Sequence, residues 1–273
     1  MRKYCLTVNS GSVANFISLQ ALGLELGSEV ITMAMGFPTT VSPIIYHGLI
    51  PVYVDCHVPH YVIDLYQVEE AISKKTKAIM FAHTLGNLCD MDWLMEIVKK
   101  NNLRLIEDCC DAVGSEWKGK KAGTFGDLAT VSFYPSHHLT TFGEGGAILT
   151  DDLELYRKCR SIREWGRACY CKWNEKRLNG ACGHRFGNPP FDHKYYYINL
   201  GLNFKMTEAQ AAFGVAQLDR LDGFIEKRKK NFKRLLKGLF RKLPSDFILP
   251  AWYESADVSW FSFPITYLGD REK

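Results

Sequence analysis

Two adjacent histidines lie between a short apolar run and a glycine-rich turn. The segment Ser132-Phe133-Tyr134-Pro135-Ser136-His137-His138 is followed by Gly143-Glu144-Gly145-Gly146. An imidazole titrates near pH ~6.5 and also binds metals, so the pair could supply a general base or a metal ligand. Adjacent side chains rarely both face one metal, which favours the base. A structural role for His138 stays open.

A small-residue turn near the start of the chain could bind phosphate. The stretch Asn9-Ser10-Gly11-Ser12-Val13-Ala14-Asn15 leads into a helical pattern. Backbone N–H groups are free at a helix start, and the positive end of the helix dipole favours an anion. Alternatively, Ser12 is an ordinary N-cap residue, and the turn alone supports that reading at least as well.

Acidic residues stand at the end of another apolar run. The stretch Leu105-Ile106-Glu107-Asp108-Cys109-Cys110-Asp111 places them at the carboxyl end of a predicted strand, where the sites of open α/β sheets lie. A carboxylate there could hold a protonated heterocyclic nitrogen. It could equally cap a helix or lie in a surface loop, and the residues alone leave these alternatives open.

Four of the nine cysteines form a possible set of metal ligands. Cys169-Tyr170-Cys171 and Cys182 lie in residues 169–193, a stretch rich in glycine, asparagine, proline and charge that predicts an irregular insertion. With Cys110 they offer four thiolates, enough for an iron–sulfur cluster. Zinc is an alternative, although structural zinc sites favour two to four residues between paired cysteines. Unrelated free thiols are the third possibility.

The elements that must position these groups alternate between strand and helix. Short apolar runs recur at residues 30–33, 52–54, 78–81, 103–106 and 129–133. Helical patterns lie between several of them, at residues 68–73 and 92–100. This alternation predicts an α/β fold with a mainly parallel sheet covered by helices.

Longer helices are predicted near both ends of this region. Residues 12–26 show helical periodicity that ends at Gly27, a typical helix stop. Residues 207–239 are also predicted to be helical, with a break near Gly223. The chain opens almost directly into a strand and stops just after a strand-like run at 260–267, so we expect a piece of a longer protein.

Composition and charge exclude several classes of protein. The 273 residues are 47% hydrophobic and 23% charged, which is typical of a globular enzyme. No apolar run reaches the length of a membrane span and the first residues lack a signal-peptide pattern, so we expect a cytoplasmic protein. The whole chain has a net charge of +4, and much of its excess of basic residues lies in residues 226–242, where apolar residues recur at helical spacing. A solvated helix face is favoured there over a nucleic-acid surface, and we expect neither nucleic acid nor a membrane as a partner.

Together these residues resemble the DegT/DnrJ/StrS family of sugar aminotransferases, which have the fold type I of enzymes dependent on pyridoxal 5'-phosphate (PLP). The resemblance runs through nearly the whole chain and is closest to the CDP-4-keto-6-deoxyglucose 3-dehydratase branch of lipopolysaccharide biosynthesis. Its most specific motifs are residues 132–150 (SFYPSHHLTTFGEGGAILT), 159–171 (CRSIREWGRACYC) and 191–212 (FDHKYYYINLGLNFKMTEAQAA).

The resemblance implies a three-layer domain and the start of a second one. Residues 1–205 would form the PLP-binding large domain, lacking the N-terminal segment of its relatives and carrying the cysteine-rich loop 169–193. Residues 206–273 would form a helical connection and the beginning of a truncated C-terminal α/β domain.

The resemblance also implies a phosphate site. Gly11 and Ser12 would donate to the cofactor phosphate, and Ser132 would add a hydroxyl. Asn203 matches an asparagine that reaches the phosphate from a neighbouring subunit. A homodimer with shared active sites is therefore implied.

Three further positions match residues around the cofactor ring. Phe37 falls where relatives stack an aromatic ring on the pyridine, and Asp108 would pair with the pyridine nitrogen and keep it protonated, so that the ring acts as an electron sink. Asp111, the third expected cofactor-binding residue of this group, falls where aminotransferases of the family usually carry glutamine.

His137 occupies the position at which aminotransferases of the family carry lysine. That lysine binds the cofactor aldehyde covalently, and histidine cannot form the bond because its ring nitrogen has no two removable hydrogens. Histidine can still act as a base. The resemblance therefore implies dehydration of a nucleotide-linked 4-keto-6-deoxy sugar, with pyridoxamine 5'-phosphate and with loss of the C3 hydroxyl. An aminotransferase and a truncated, non-catalytic remnant are the alternatives.

The cysteines distinguish two histidine-bearing branches of the family. Cys110, Cys169, Cys171 and Cys182 match, in order and context, the branch that carries a 2Fe-2S cluster. That branch receives single electrons from a separate flavin/iron–sulfur reductase and acts on a CDP-linked sugar. The ten residues between Cys171 and Cys182 are more than this branch usually has, and a longer loop can still close on a cluster because added loop length costs little entropy.

Overall fold

A seven-stranded sheet forms the centre of the molecule. A computed structural model describes residues 2–169, 191–240 and 242–270. The strands of the sheet are β1 (Tyr4–Val8), β2 (Glu29–Met33), β3 (Ile50–Val54), β6 (Thr76–Ala82), β7 (Arg104–Asp108), β10 (Leu128–Ser132) and β11 (Gly146–Thr150). They are arranged in the order β1-β11-β10-β7-β6-β2-β3. The five strands from β10 to β3 pair in parallel, and β11 pairs antiparallel with both of its neighbours. All five predicted apolar runs form strands, and the predicted mainly parallel sheet is confirmed.

Alternate residues of the strands enter two separate cores. Ile31, Ile79 and Leu105 belong to one buried cluster, whereas their neighbours Val30 and Ala78 belong to the other. Successive side chains of a strand point to opposite faces, so a strand with apolar residues at every position is buried on both sides. Helices cover both faces, which gives the three layers of the α/β fold.

The helices of the layers begin mostly at polar cap residues. They are α1 (Gly11–Leu22), α2 (Pro38–Tyr46), α3 (Leu65–Ala71), α4 (Met91–Lys100) and α5 (Leu153–Arg163). The side chains of Asp64, Asp90 and Asp152 accept backbone hydrogen bonds at the starts of α3, α4 and α5. These bonds satisfy N–H groups that have no partner inside the helix.

Both predicted ends of the first helix were wrong by a few residues. The N-cap is Ser10, whose Oγ accepts from Val13 N–H, and not Ser12. The helix ends at Leu22, because Gly23 adopts a left-handed conformation with φ 65° and donates to Gln20. Gly27, at φ 78°, lies in the turn beyond. Gly23 and Gly27 are both residues that commonly end a helix, and the helix ends at the first of them.

The C-terminal part of the chain packs against the large sheet. Helices α6 (Glu208–Leu218) and α7 (Leu221–Leu239) are separated at Asp219 and Arg220, so the predicted break at Gly223 was wrong by a few residues. Phe232 of α7 is buried in the same apolar cluster as Ile31. Residues on both sides of the predicted boundary at 205/206 thus share one core, and the boundary itself stays a prediction.

Short strands complete the described structure. The pairs are β4 (Cys56–His57) with β5 (Val62–Ile63), β8 (Glu116–Trp117) with β9 (Lys120–Lys121) and β13 (Ala256–Asp257), and β12 (Phe247–Ile248) with β14 (Thr266–Tyr267). Two short 3-10 turns span Thr84–Gly86 and His193–Tyr195. Of the predicted strand at 260–267, only Thr266–Tyr267 is a strand. Within the described residues, no helix combines the length and apolarity needed to cross a membrane.

Candidate functional site

A cavity of about 450 Å³ opens at the carboxyl ends of the parallel strands. It lies where β7 and β10 end and α1 begins, and such strand ends are the usual sites of open α/β sheets. The residues that line it include eight of the predicted ones: Gly11, Ser12, Phe37, Asp108, Cys110, Asp111, Ser132 and His137. Positions that are distant in sequence therefore meet in one cavity.

The amino end of α1 forms one wall of this cavity. Gly11 and Ser12 occupy the first turn, where N–H groups have no carbonyl partner within the helix. Ser132, at the end of β10, lies against Gly11 so closely that a Cβ on Gly11 would be 2.6 Å from the Ser132 Cβ. Glycine is therefore required at position 11. Free N–H groups, the helix dipole and the nearby hydroxyl make this wall suitable for an anion.

Asp108 is a buried carboxylate with both oxygens hydrogen-bonded. The Oδ2 atom accepts from the Asn15 side chain and from the Thr40 hydroxyl, both at 2.8 Å. The Oδ1 atom accepts from the Cys110 N–H at 3.1 Å. Asn15 is held in turn by the Thr130 hydroxyl at 2.6 Å. Asp108 neither caps a helix nor lies in a surface loop, and its fixed position would suit a protonated ring nitrogen.

His137 and Asp111 face one another at the cavity. The His137 Nδ1 atom lies 3.3 Å from Asp111 Oδ1, without the geometry of an ordinary hydrogen bond. Asp111 Oδ2 accepts from the Leu85 N–H at 3.2 Å, which fixes the carboxylate. The ring of Phe261 lies beside the imidazole, with centroids 5.4 Å apart. His137 thus reaches the cavity with a carboxylate against one of its nitrogens.

His138 has a different environment from its neighbour. Its side chain is buried, and its Nε2 atom lies 3.1 Å from both the carbonyl and the hydroxyl oxygen of Ser259. Burial, together with the nearby Arg228 charge, lowers the pKa of His138 to about 4. His138 does not line the 450 Å³ cavity. The structural role left open by the sequence is the one that this geometry supports.

The predicted cluster ligands are only partly described. Cys110 lines the cavity, and burial together with the Asp108 carboxylate raises the pKa of its thiol well above the ordinary value. Cys169 is half-buried and has a free thiol. Cys171 and Cys182 lie outside the described residues. The four-cysteine set therefore stays a prediction.

Three predicted cofactor residues, Ser12, Phe37 and Asn203, are exposed, whereas the others are buried or partly buried. Asn203 is exposed and does not line the cavity, and it makes an isolated bridge with Glu164. Phe37 lines the cavity but remains 71% exposed. The roles assigned to all the predicted site residues stay predictions, although the structure brings eight of them together.

Sequence reasoning missed the residues that hold the site in place. Asn15 belongs to the turn singled out for phosphate, but its contact with Asp108 spans 93 positions. Thr40 and Phe261 lie in stretches without a chemical signature. Leu85 contributes only its backbone. No periodicity or motif in a single sequence reveals the contacts that these four residues make.

A second buried acid, Glu107, lies behind the site on β7. Its oxygens accept hydrogen bonds from the His83 ring and from the backbone N–H groups of Gly123, Phe125 and Gly126. Burial alone would raise the pKa of Glu107, but these donors hold it below the ordinary value. Ligand atoms of His83, Glu107 and Cys109 lie within 4.8 Å of one another. Because both carboxylate oxygens already have two donors each, Glu107 is better suited to joining strand and loop than to binding a metal.

Solved structures of PLP-dependent enzymes have a fold similar to that of this chain. The E. coli GDP-4-keto-6-deoxy-D-mannose-3-dehydratase with bound hydrated PLP is similar, with a TM-score of 0.86, 31% sequence identity, and coverage of 99% of this chain and 68% of that one. The fold is that of the PLP-dependent transferases of fold type I, as predicted.

The chain belongs to the DegT/DnrJ/EryC1/StrS aminotransferase family, whose model matches residues 1–273. It is 49% identical over 278 residues to the lipopolysaccharide biosynthesis protein RfbH of Salmonella typhimurium, with coverage of 96% of this chain and 62% of the relative. It is 45% identical over 277 residues to the dTDP-4-dehydro-2,6-dideoxy-D-glucose 3-dehydratase of Saccharopolyspora spinosa, with coverage of 96% and 59%. The chain thus spans about 60% of the length of these curated relatives. The predicted family is confirmed.

Proposed function

We propose that this chain carries the cofactor site of a PLP- or pyridoxamine-phosphate-dependent 3-dehydratase acting on a nucleotide-linked 4-keto-6-deoxy sugar. The observation that carries the proposal is His137, which lies in the cavity beside Asp111. The resemblance of the motif at residues 132–150 matches this histidine to the position where aminotransferases of the family have lysine. The similarity to a dTDP-sugar 3-dehydratase and to a GDP-sugar 3-dehydratase supports it.

The cavity residues fit the cofactor at two points. The first turn of α1 and Ser132 would hold the phosphate, because free N–H groups and a hydroxyl suit an anion. Asp108 would hold the protonated pyridine nitrogen, since a buried carboxylate favours a cation beside it. The volume of about 450 Å³ is within the range of small-molecule sites. When bound, the cofactor supplies a conjugated electron sink.

His137 would act as the base. With Nδ1 beside Asp111, the Nε2 atom is the nitrogen left to accept a proton. Asp111 would orient the ring and stabilise its cationic form, as carboxylates do beside catalytic histidines. Because His137 cannot bind the cofactor covalently, the phosphate and ring contacts would hold it.

The proposal also extends to the substrate and the partners. The resemblance of the histidine and cysteine motifs favours a CDP-linked sugar, a homodimer in which Asn203 contributes to the partner's phosphate site, and a flavin/iron–sulfur reductase. The exposure of Asn203 is consistent with a role across a subunit interface. Turnover of CDP-, GDP- and dTDP-4-keto-6-deoxyglucose, measured side by side, tests the nucleotide.

The cluster is proposed on Cys110, Cys169, Cys171 and Cys182. Anaerobically prepared protein should contain about two irons per chain and absorb visible light, as a [2Fe–2S] centre does. Cys110→Ser should lose the iron, whereas Cys159→Ser, at a buried position of α5, should retain it. Iron retained in Cys110→Ser would refute that ligand set. Absence of both iron and B6 binding would favour a non-catalytic remnant.

The decisive test of the base is His137→Lys. The variant should lose dehydration and gain a visible absorption band with pyridoxal phosphate, from a covalent bond that borohydride makes permanent. Ser136→Lys is the matched control, because it puts a lysine on the same cavity wall one position earlier. It should gain no such band.

Two results would contradict the role of His137. A His137→Lys variant that dehydrates the substrate as well as the parent would show that His137 is not the essential base. Borohydride trapping of cofactor on the unmodified chain, through some other lysine, would favour an aminotransferase.

A further inference from the structure

His137 and four other residues form a closed set of contacts, here called the His137 contact ring. Arg228 donates from Nη2 to the His137 carbonyl at 3.1 Å and from Nη1 to the Phe261 carbonyl at 3.0 Å. The Phe261 N–H donates to the Leu85 carbonyl at 2.8 Å, and the Leu85 N–H donates to Asp111 Oδ2 at 3.2 Å. Asp111 Oδ1 faces His137 Nδ1 at 3.3 Å, which closes the ring.

Arg228 is the member of the ring that joins separate parts of the chain. It lies on α7, 91 positions from His137 and 33 from Phe261. The planar guanidinium presents several donors in a fixed fork, so it can bind two carbonyls at once with little loss of freedom. Its centre also lies 6.0 Å from the Phe261 ring centroid, and that ring contacts the His137 imidazole. Arg228 therefore contacts His137 directly at the His137 carbonyl, and indirectly through Phe261, whose ring lies beside the imidazole.

His137 borders two open spaces, the 450 Å³ cavity and a second cavity of about 480 Å³. The second cavity is lined in part by polar side chains of α6 and α7, among them Gln217, Asn231 and Arg228. The imidazole is therefore only partly enclosed, with the rings of Tyr134 and Phe261 beside it. The hydrogen bonds of the His137 contact ring add to this restraint.

Leu85, a member of the His137 contact ring, has an unusual backbone conformation. This leucine has φ 60° and ψ 9°, a left-handed conformation that a side chain with a Cβ rarely adopts. Both of its backbone groups are used by the ring, the N–H by Asp111 and the carbonyl by Phe261. Such a conformation persists only where the surroundings hold it, and it is often found beside functional sites.

We propose that Arg228 is a positioning residue that sets the orientation of the His137 imidazole against Asp111 without lining the cofactor cavity. The inference rests on the proposed function only in taking His137 as the base. Removing the Arg228 guanidinium takes this donor from the carbonyls of His137 and Phe261, and the His137 backbone becomes less restrained. A base displaced by about 1 Å can cost about 100-fold in rate.

The test uses Arg228→Gln and Arg228→Lys in the full chain, with Arg234→Gln as the matched control at an exposed position of the same helix. The first readout is the ¹⁵N signals of the His137 ring, identified by their loss in His137→Asn. The second is kcat and KM with CDP-4-keto-6-deoxyglucose. Thermal midpoints establish which variants are folded.

Arg228→Gln should displace the His137 ring signals and lower kcat by about 10- to 100-fold at unchanged KM, while Arg234→Gln should match the parent. If the Gln variant does not fold, Arg228→Lys decides, since one ammonium cannot hold both carbonyls as the fork does. Parental ring signals in a folded Arg228 variant would overturn the proposal. If the parent chain shows no dehydration, the proposed function fails, and the ring signals still decide the role of Arg228.

Discussion

Replacing Thr40 with valine tests whether the buried Asp108 carboxylate depends on its hydrogen bonds. Thr40 is buried, and its hydroxyl donates to Asp108 Oδ2 at 2.8 Å. Valine keeps the shape of the side chain and removes only the donor, leaving Asn15 as the remaining donor to that oxygen. A hydrogen bond to a charged group contributes about 1.5–3 kcal/mol. Thr40→Val should therefore lower the free energy of unfolding by that amount.

The chain provides a matched control in Thr32. This residue is also fully buried, and its hydroxyl has no hydrogen-bond partner among the residues that the structure describes. Thr32→Val makes the same chemical change but removes a polar group that is not satisfied. We expect it to be neutral or slightly stabilising. The comparison isolates the bond to Asp108 from the effect of the substitution itself.

Urea denaturation at neutral pH measures both variants, and titration with pyridoxal phosphate follows the site. Loss of one donor to Asp108 should also weaken cofactor binding. The affinity should fall by about tenfold if the interaction between Asp108 and the pyridine nitrogen loses ~1.4 kcal/mol. Equal stability of Thr40→Val and Thr32→Val, with equal cofactor affinity, would refute the reasoning that Asp108 is held by Thr40.

Three further predictions concern the surroundings of the site. The pKa of His138 is lower in the folded chain, about 4, than its ordinary value near 6.5, so the unfolded chain binds the proton more tightly. The free energy of unfolding should therefore fall by about 3 kcal/mol between pH 6.5 and 4, and pH-dependent denaturation of His138→Gln should show a flatter profile. Glu107→Gln puts an amide N–H₂ where backbone donors converge, and urea denaturation should show a loss of about 3–5 kcal/mol; an unchanged midpoint would contradict the role given to Glu107. Gly86→Ala places a Cβ 2.6 Å from the Ser259 carbonyl oxygen at φ 90°, and calorimetry should show a loss of at least about 1–3 kcal/mol. Parental stability of that variant would mean that the turn can shift.

Local sequence pattern was sufficient for the elements of the fold. Apolar runs such as 78–81 and 103–106 had to become buried strands, because continuous apolar stretches bounded by helical patterns fit a sheet covered on both faces. The positions of Asp108 and Ser132 followed from the same argument, since both end parallel strands. Exact helix ends did not follow, as Gly23 and Gly27 both fit a stop by type.

The motifs of the sequence also determined the family, and with it the candidate base. The spacing from Ser132 to the glycine-rich turn predicted that His137 occupies the position of the missing lysine, and the match of residues 1–273 to the family model confirms the family. The order and context of Cys110, Cys169, Cys171 and Cys182 resemble those of the cluster-bearing branch, and the cluster stays a prediction. Order and spacing along the chain can be read from the sequence without the structure.

Only the tertiary structure decided how the two histidines differ and what holds the site. His137 faces Asp111 at the cavity, whereas His138 turns to Ser259, 121 positions away. The donors to Asp108 and the fork of Arg228 likewise come from distant segments. A side chain's environment depends on which segments fold against it, and a contact across many positions leaves no trace in local periodicity. The sequence therefore predicted the candidate site residues, and the packing of distant segments determined how those residues are arranged.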